Sequence, residues 1–175
     1  NFDGVDGLVA IGGGCLDGLS AATIGCVFKK NAAQSGYTYL MTNPETIAGS
    51  SGFDLYFHND ILSAYVNASG GDNNLGTTVS DLNAHSVFFI YDDSHPTNSC
   101  RLFLDGVLVS QGNVANGTLE CGSNEIAIGK FSSNNSNYGF DGMISTGVVW
   151  KRALTDKQLL DLHSAWVHEY GVAAL

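Results

Sequence analysis

Aromatic rings set beside carboxamides are the residues of this chain best suited to holding a ligand. A ring stacks on the apolar face of a pyranose and an amide hydrogen-bonds its hydroxyls. Two clusters have that make-up: Tyr56, His58 and Asn59, and Tyr138 beside Asn134, Asn135 and Asn137. Packing within the core or a loop is the competing role for each. Asp92-Asp93, at the end of an apolar run, is the best local candidate for a hard cation such as calcium, which prefers carboxylate, amide and carbonyl oxygens. Paired aspartates in a loop also serve simply as solvated charges. Asp105 and Asp141 each precede a glycine and read as turn residues.

Four cysteines, Cys15, Cys26, Cys100 and Cys121, form no Cys-x-x-Cys zinc pattern, and no histidine pair stands at metal-site spacing. Pairing of sequence neighbours, Cys15 with Cys26 and Cys100 with Cys121, is the expectation, since each pair brackets a turn between adjacent strands. Four buried free thiols are the alternative. If the bonds form, the compartment is oxidising. No His-Glu-x-x-His, Gly-x-Ser-x-Gly or phosphate-loop motif occurs.

The elements that must position these residues are strands. Arg-Leu-Phe-Leu-Asp-Gly-Val-Leu-Val at 101–109 places Asp105-Gly106 between two apolar runs, the signature of a type I′ hairpin. Simple pairing sets Leu104 against Val107 and Leu102 against Val109, and its two apolar faces suggest the middle of a sandwich. Phe53–His58 and Ile61–Val66 flank Asn59-Asp60 as a second hairpin. Residues 67–78 read as a polar, glycine-rich loop. His85–Tyr91 is continuously apolar and too short for a typical helix, so it is a buried strand. Further strands fall at 2–12, 21–29, 37–42 (ended by Asn43-Pro44), 124–131 and 140–150. This spacing without intervening helices predicts an all-β antiparallel sandwich. One helix closes it. Thr155 and Gln158 form a capping box, Leu154 and Leu159 a staple, and Leu159, Leu162, Trp166 and Tyr170 an apolar stripe ending at Gly171.

The 175 residues suit one domain spanning 1–175. Net charge is −10, from 17 acidic and 7 basic residues, which argues against nucleic acid or anionic lipid as a partner. The longest apolar run, Val87–Tyr91, falls far short of the roughly 20 residues a membrane helix needs. Only 14% of residues are charged, and Gly, Asn, Ser and Thr fill the gaps between strands, a style shared by extracellular and viral β proteins. A start at Asn1 without Met or a leader suggests a removed signal or a fragment of a longer protein. Sequons at Asn67, Asn116 and Asn134 occur about as often as chance allows and decide nothing.

With these pieces in order, the chain resembles the laminin-G-like, concanavalin A-like jelly rolls. The resemblance rests on Phe-Asp-Gly-Val-Asp-Gly-Leu-Val at 2–9, Ala-Thr-Ile-Gly-Cys-Val at 22–27, His-Ser-Val-Phe-Phe-Ile-Tyr at 85–91 and the hairpin at 101–109. It continues through Ile-Ala-Ile-Gly at 126–129, Phe-Asp-Gly-Met-Ile at 140–144, and Arg152-Ala-Leu-Thr155 with its helix. It implies two antiparallel sheets packed face to face, with first and last strands adjacent and one short C-terminal helix. Where relatives often carry tryptophans, this chain has Cys26-Val27 and Asn83-Ala84, so its core is packed differently.

That superfamily includes glucanases and polysaccharide lyases. A glycosidase needs two carboxyl groups facing one sugar, and no two of Glu45, Glu120, Glu125 and Glu169 alternate on a strand. A lyase needs a clustered base, arginine and tyrosine, and Arg101 and Arg152 are the sole arginines. Catalysis is therefore not expected. The resemblance implies a non-catalytic recognition or adhesion module, extracellular or on a cell or virion surface. Its partner would be a glycan or a cell-surface protein, with calcium as its one conceivable cofactor. The alternative is a structural subunit or decoration domain of a viral particle or surface filament, assembled as a homo-oligomer.

Overall fold

Val87, Phe88, Phe89, Ile90 and Tyr91 are all fully buried, which a single strand achieves only when both of its faces are covered. In the computed structural model, which describes residues 2–3, 9–12, 14–44, 51–114, 117–131 and 138–172, this run is the middle of β8 (Ala84–Asp92). Val87, Phe89 and Tyr91 point into the main core, while Phe88 and Ile90 lie on the opposite face beneath the C-terminal helix. Strand alternation thus assigns each side chain to one of two apolar layers.

The first sheet orders β1 (Phe2–Asp3), β12 (Asp141–Trp150), β3 (Ala21–Lys30), β8, β9 (Cys100–Leu104) and β10 (Val107–Gly112). The second orders β2 (Val9–Ile11), β11 (Ile126–Ile128), β4 (Tyr37–Pro44), β5 (Ser51–His58), β6 (Ile61–Ala68) and β7 (Gly71–Thr78). All pairings are antiparallel, and β1 lies against β12 with Phe2 opposite Gly142, so first and last strands are neighbours as the resemblance implies. Between the sheets, Phe28, Leu40, Phe53, Phe57 and Phe89 fill the core.

Helix α1 (Asp156–Tyr170) closes the outer face of the first sheet. Its capping box forms as read, with the Gln158 backbone N–H donating to the Thr155 hydroxyl and the Gln158 side chain accepting from the Thr155 N–H. Gly171 ends it at φ 66°, in the left-handed region that glycine adopts without penalty. Leu154, Leu159 and Trp166 are buried against Val27, Phe88, Ile90 and Phe103, and the Trp166 ring stacks on Phe88 at 4.8 Å.

Four expectations are corrected. The 101–109 hairpin turns at Asp105 (φ 49°) and Gly106 (φ 78°) as type I′ chemistry demands, but Val109 is bulged and Leu102 faces Ser110. Its second strand is the sheet edge rather than the centre, with Val107 51% exposed, and the true centre is β3 against β8. The stretch 67–78 contains strand β7, because an edge strand with one solvated face tolerates the Asp, Asn, Gly and Thr that weaken a strand assignment. Strand β4 runs through Asn43 to Pro44 instead of stopping before them.

The fourth correction concerns the cysteines: Cys15, Cys26, Cys100 and Cys121 are all free thiols. Cys26 lies mid-strand between Val87 and Gly147, Cys15 in the loop before β3, Cys100 at the start of β9 and Cys121 in the loop after β10 against β5. The expected pairs do not bracket hairpin turns. The oxidising-compartment argument built on them falls with them.

Candidate functional site

Because α1 covers the first sheet, the outer face of the second sheet is where side chains meet solvent. Strand pairing arranges that face in rows. Tyr39, Tyr56, Ser63 and Gly76 follow one another across β4, β5, β6 and β7, and beside them run Tyr37, His58, Ile61 and Thr78. Alternation explains the arrangement, since Leu55 and Phe57 on β5 and Leu62 and Ala64 on β6 point inward to the core.

Small residues between large ones leave a depression. Ser63 and Gly76 floor an open groove of about 270 Å³, with Tyr37, Tyr56, His58, Ile61 and Asn74 around it and the core residue Leu75 beneath. Tyr37 is 44% exposed and its ring lies parallel to the His58 imidazole at 4.3 Å. Tyr56 lies deeper, stacked on Tyr39 at 5.4 Å, and its hydroxyl accepts a 2.9 Å hydrogen bond from the Asn74 amide. Burial pushes the Tyr56 hydroxyl above its ordinary pKa despite its hydrogen bonds to Asn74 and Ser63, so it serves as a neutral donor and acceptor. Tyr39, Tyr56 and Phe131 form a small buried cluster of their own, with Tyr65 and Tyr138 packed against it.

Of the sequence-predicted residues, Tyr56 and His58 line the groove. Asn59 supports it from the side. At φ 56° it makes the β5–β6 turn, its N–H donates to the Gly36 carbonyl at 2.8 Å, and its side-chain oxygen accepts from the Gly36 N–H at 3.1 Å. This ties down the loop that delivers Tyr37. Tyr138 joins the same aromatic group edge-on, 6.4 Å from Tyr37 and 6.2 Å from Tyr39, and its carbonyl accepts from the Tyr39 N–H. Asn134 and Asn137 lie outside the described residues. Tyr37, Ser63 and Asn74 are lining residues that sequence reasoning missed. Tyr-Thr-Tyr at 37–39 carried a usable signal, an aromatic alternation that puts both rings on one face, whereas Asn74 was hidden by the loop reading of its strand.

Asp92 and Asp93 lie side by side in the turn after β8, each with hydrogen bonds of its own. The Asp92 carboxylate accepts from the N–H and hydroxyl of Ser94, and Asp93 accepts from the Gly117 N–H at 2.9 Å, so both help to shape their loop. No group of three or more His, Cys, Asp or Glu with metal-holding geometry occurs among the described residues. Glu120 and Glu125 sit in the segment between β10 and β11 and Glu169 on α1; Glu45 lies outside the described residues.

A second polar cluster is built at the start of β8, where Ser86 faces α1 and His85 packs against Phe28 on the opposite face. His85 bridges two carboxylates, Nδ1 at 2.6 Å from Asp105 and Nε2 at 2.9 Å from Asp81, and its neighbour Ser86 meets His163 Nδ1 at 2.9 Å. A Ser-His-Asp grouping invites a catalytic reading, but Ser86 is fully buried and His163 is 1% exposed, so no substrate reaches them. The cluster fastens hairpin, central strand and helix together.

The comparisons with known proteins agree with this architecture. The family model described as the concanavalin A-like lectin/glucanases superfamily matches residues 3–160. No curated protein sequence matches the chain. Among solved structures, the CBM40 module of the Ruminococcus gnavus IT-sialidase, bound to α2,3-sialyllactose, superposes with a TM-score of 0.66 at 17% identity, over 91% of this chain and 98% of that one. The heptameric SAP-like pentraxin of Limulus polyphemus gives 0.64 at 15% identity, over 87% and 72%. The Trypanosoma rangeli sialidase gives 0.69 at 14% identity, over 98% of this chain but 27% of that enzyme. At these identities the likeness is one of fold: a lectin-like jelly-roll sandwich with a single short C-terminal helix.

Proposed function

We propose that this chain, which belongs to the concanavalin A-like lectin/glucanases superfamily, is a non-catalytic module that binds a carbohydrate in the groove on the outer face of its second sheet. The observation that carries the reading is Tyr37 standing 44% exposed beside Tyr56, Asn74 and Ser63. An apolar wall lies within reach of a phenol, an amide and a hydroxyl, which is what a sugar ring with one apolar face and a hydroxylated rim requires.

Recognition without turnover fits a groove lined by none of the described glutamates, Glu120, Glu125 and Glu169. The reading places the protein outside the cell, on a cell or particle surface, where glycans are displayed. Calcium enters as a variable to be tested. No helix among the described residues is long and apolar enough to cross a membrane.

An edge strand with outward Val107 and Leu108 favours a second reading, self-association through β10 in a larger assembly. A glycan array probed with the wild-type protein and with Tyr37→Ala, each with and without calcium, tests the first reading, and mass by light scattering tests the second. Glycan signals that vanish in Tyr37→Ala are expected. A silent array together with a large oligomer would replace the recognition module by a structural subunit.

A further inference from the structure

Resting on the groove as a sugar site, we infer that its ligand is a neutral glycan, recognised through hydroxyls and ring faces, and that sialylated, sulfated or uronate-bearing sugars are excluded. The inference comes from where this chain puts its cations. All seven lysines and arginines lie among the described residues.

Each is placed elsewhere or already used. Lys30 is 1% exposed and gives its ammonium to Asp60 at 2.7 Å and to the Val79 carbonyl. Arg101 donates to Asp156 and Arg152 to Gln158, both against α1 on the other sheet, and Lys157 pairs with Asp161 on the helix itself. Lys29 is on β3 of the first sheet and Lys151 follows β12. Lys130, the cation nearest by chain position to the aromatic cluster, is 7% exposed and does not line the groove.

The lining itself holds the His58 imidazole but no ammonium or guanidinium, and two carboxylates stand on the strands that form it. Asp72 accepts from the Tyr65 hydroxyl at 3.1 Å on the neighbouring row, and Asp54 is fully buried two residues before Tyr56, its carboxylate accepting from the Asn43 N–H. A carboxylate or sulfate ester entering this groove would lose hydration with no guanidinium or ammonium to replace it, beside two carboxylates and against a net charge of −10. A neutral sugar meets no such penalty.

The test is an array of matched pairs, each neutral oligosaccharide printed beside its sialylated, sulfated or uronate-bearing counterpart, probed at pH 7.5 with the wild-type protein and with Gly76→Val. Gly76 has ordinary backbone angles, and an added Cβ meets Ile61 Cγ2 at 3.2 Å, so the larger side chain fills the groove floor with only an exposed side chain to displace. Signals at least tenfold stronger for neutral members, and lost in Gly76→Val, are expected. An acidic member bound as well as or better than its neutral partner overturns the inference and leaves the groove standing as a sugar site. Signals that survive in Gly76→Val place the binding on another face and overturn both, as does silence across all pairs.

Discussion

The ring of Tyr37 lies over the imidazole of His58, centroids 4.3 Å apart and planes 7° from parallel. The two are register partners on β4 and β5, so a cross-strand stack holds upright a phenol that is 44% exposed. A stack of this kind contributes about 0.5–1.5 kcal/mol beyond simple burial. Its yield here is a ring with a fixed direction, presented to the groove at little further cost in conformational freedom.

Tyr37→Ala is therefore expected to lower the affinity for an array-identified glycan by about tenfold, equivalent to about 1.4 kcal/mol. His58→Ala is expected to lower it less, and the double variant by less than the sum, because part of the histidine's effect passes through the tyrosine. Titration calorimetry on the four proteins of the cycle decides it. Strict additivity would mean that the two rings contact the ligand independently.

Two glycines separate fold from function. A Cβ on Gly25, in the middle of β3, would stand 2.4 Å from the Phe88 ring and 2.8 Å from the Val87 carbonyl, and Phe88 is pinned by Trp166 on its other side. Gly25→Ala is expected to destabilise the protein by about 3 kcal/mol, the upper end of what overpacking costs. Gly76→Val, on the solvated face, is expected to cost under about 1 kcal/mol while abolishing binding. Urea titrations of both variants, read by tryptophan fluorescence, check the contrast. Equal stabilities would mean that the Phe88 layer yields more readily than its packing indicates.

The layered fold was legible because its signals are local and agree with one another: the Asp105-Gly106 turn, the Thr155 capping box and the unbroken run Val87–Tyr91. Where sequence reading failed, the deciding contact was distant. Ser63 and Gly76 make a groove floor only because β6 and β7 pair in one register, and Val109 is bulged for reasons its neighbours in the chain do not reveal. Two of the eight lining residues, Tyr56 and His58, were visible in the sequence. Tyr37 and Asn74 emerged only once the strands were set side by side. The cysteine pairing failed because adjacency in sequence is not adjacency across a sandwich.

The thiols themselves give a prediction. Burial raises the pKa of Cys26 far above the ordinary thiol range and that of Cys100 to about 11, so neither supplies thiolate at neutral pH. Cys15 alone of the four is partly exposed. Native alkylation at pH 7.5 is expected to label Cys15 and spare the other three, and reductant is expected to leave the melting temperature unchanged. A drop of several degrees on reduction would restore the disulfides.

Thr155→Ala removes the hydroxyl that receives the Gln158 N–H and with it half of the capping box. A loss of about 1 kcal/mol is expected, read as a shift in the urea midpoint, with glycan affinity unchanged because α1 lies on the sheet opposite the groove. A change in affinity would show that the two faces are coupled.

His85 gives the stability a pH dependence whose sign follows from its partners. Burial acts to lower its pKa, but the hydrogen bonds to Asp105 and Asp81 outweigh it, and the folded value lies above the unfolded one of about 6.5. The folded state thus binds the His85 proton more tightly than the unfolded chain. The resulting stabilisation is complete below about pH 6.5 and is lost as pH rises through the folded value. His163, beyond Ser86, acts in the opposite sense, since burial pushes its pKa down against the weaker pull of Asp105. Comparing wild type with His85→Gln cancels the His163 contribution, which both proteins share. The variant is expected to be less stable by about 1–2 kcal/mol at pH 5.5 and by clearly less at pH 8.5. A deficit that stayed constant with pH would assign His85 a packing role and deny the two carboxylates their part in holding the hairpin to β8.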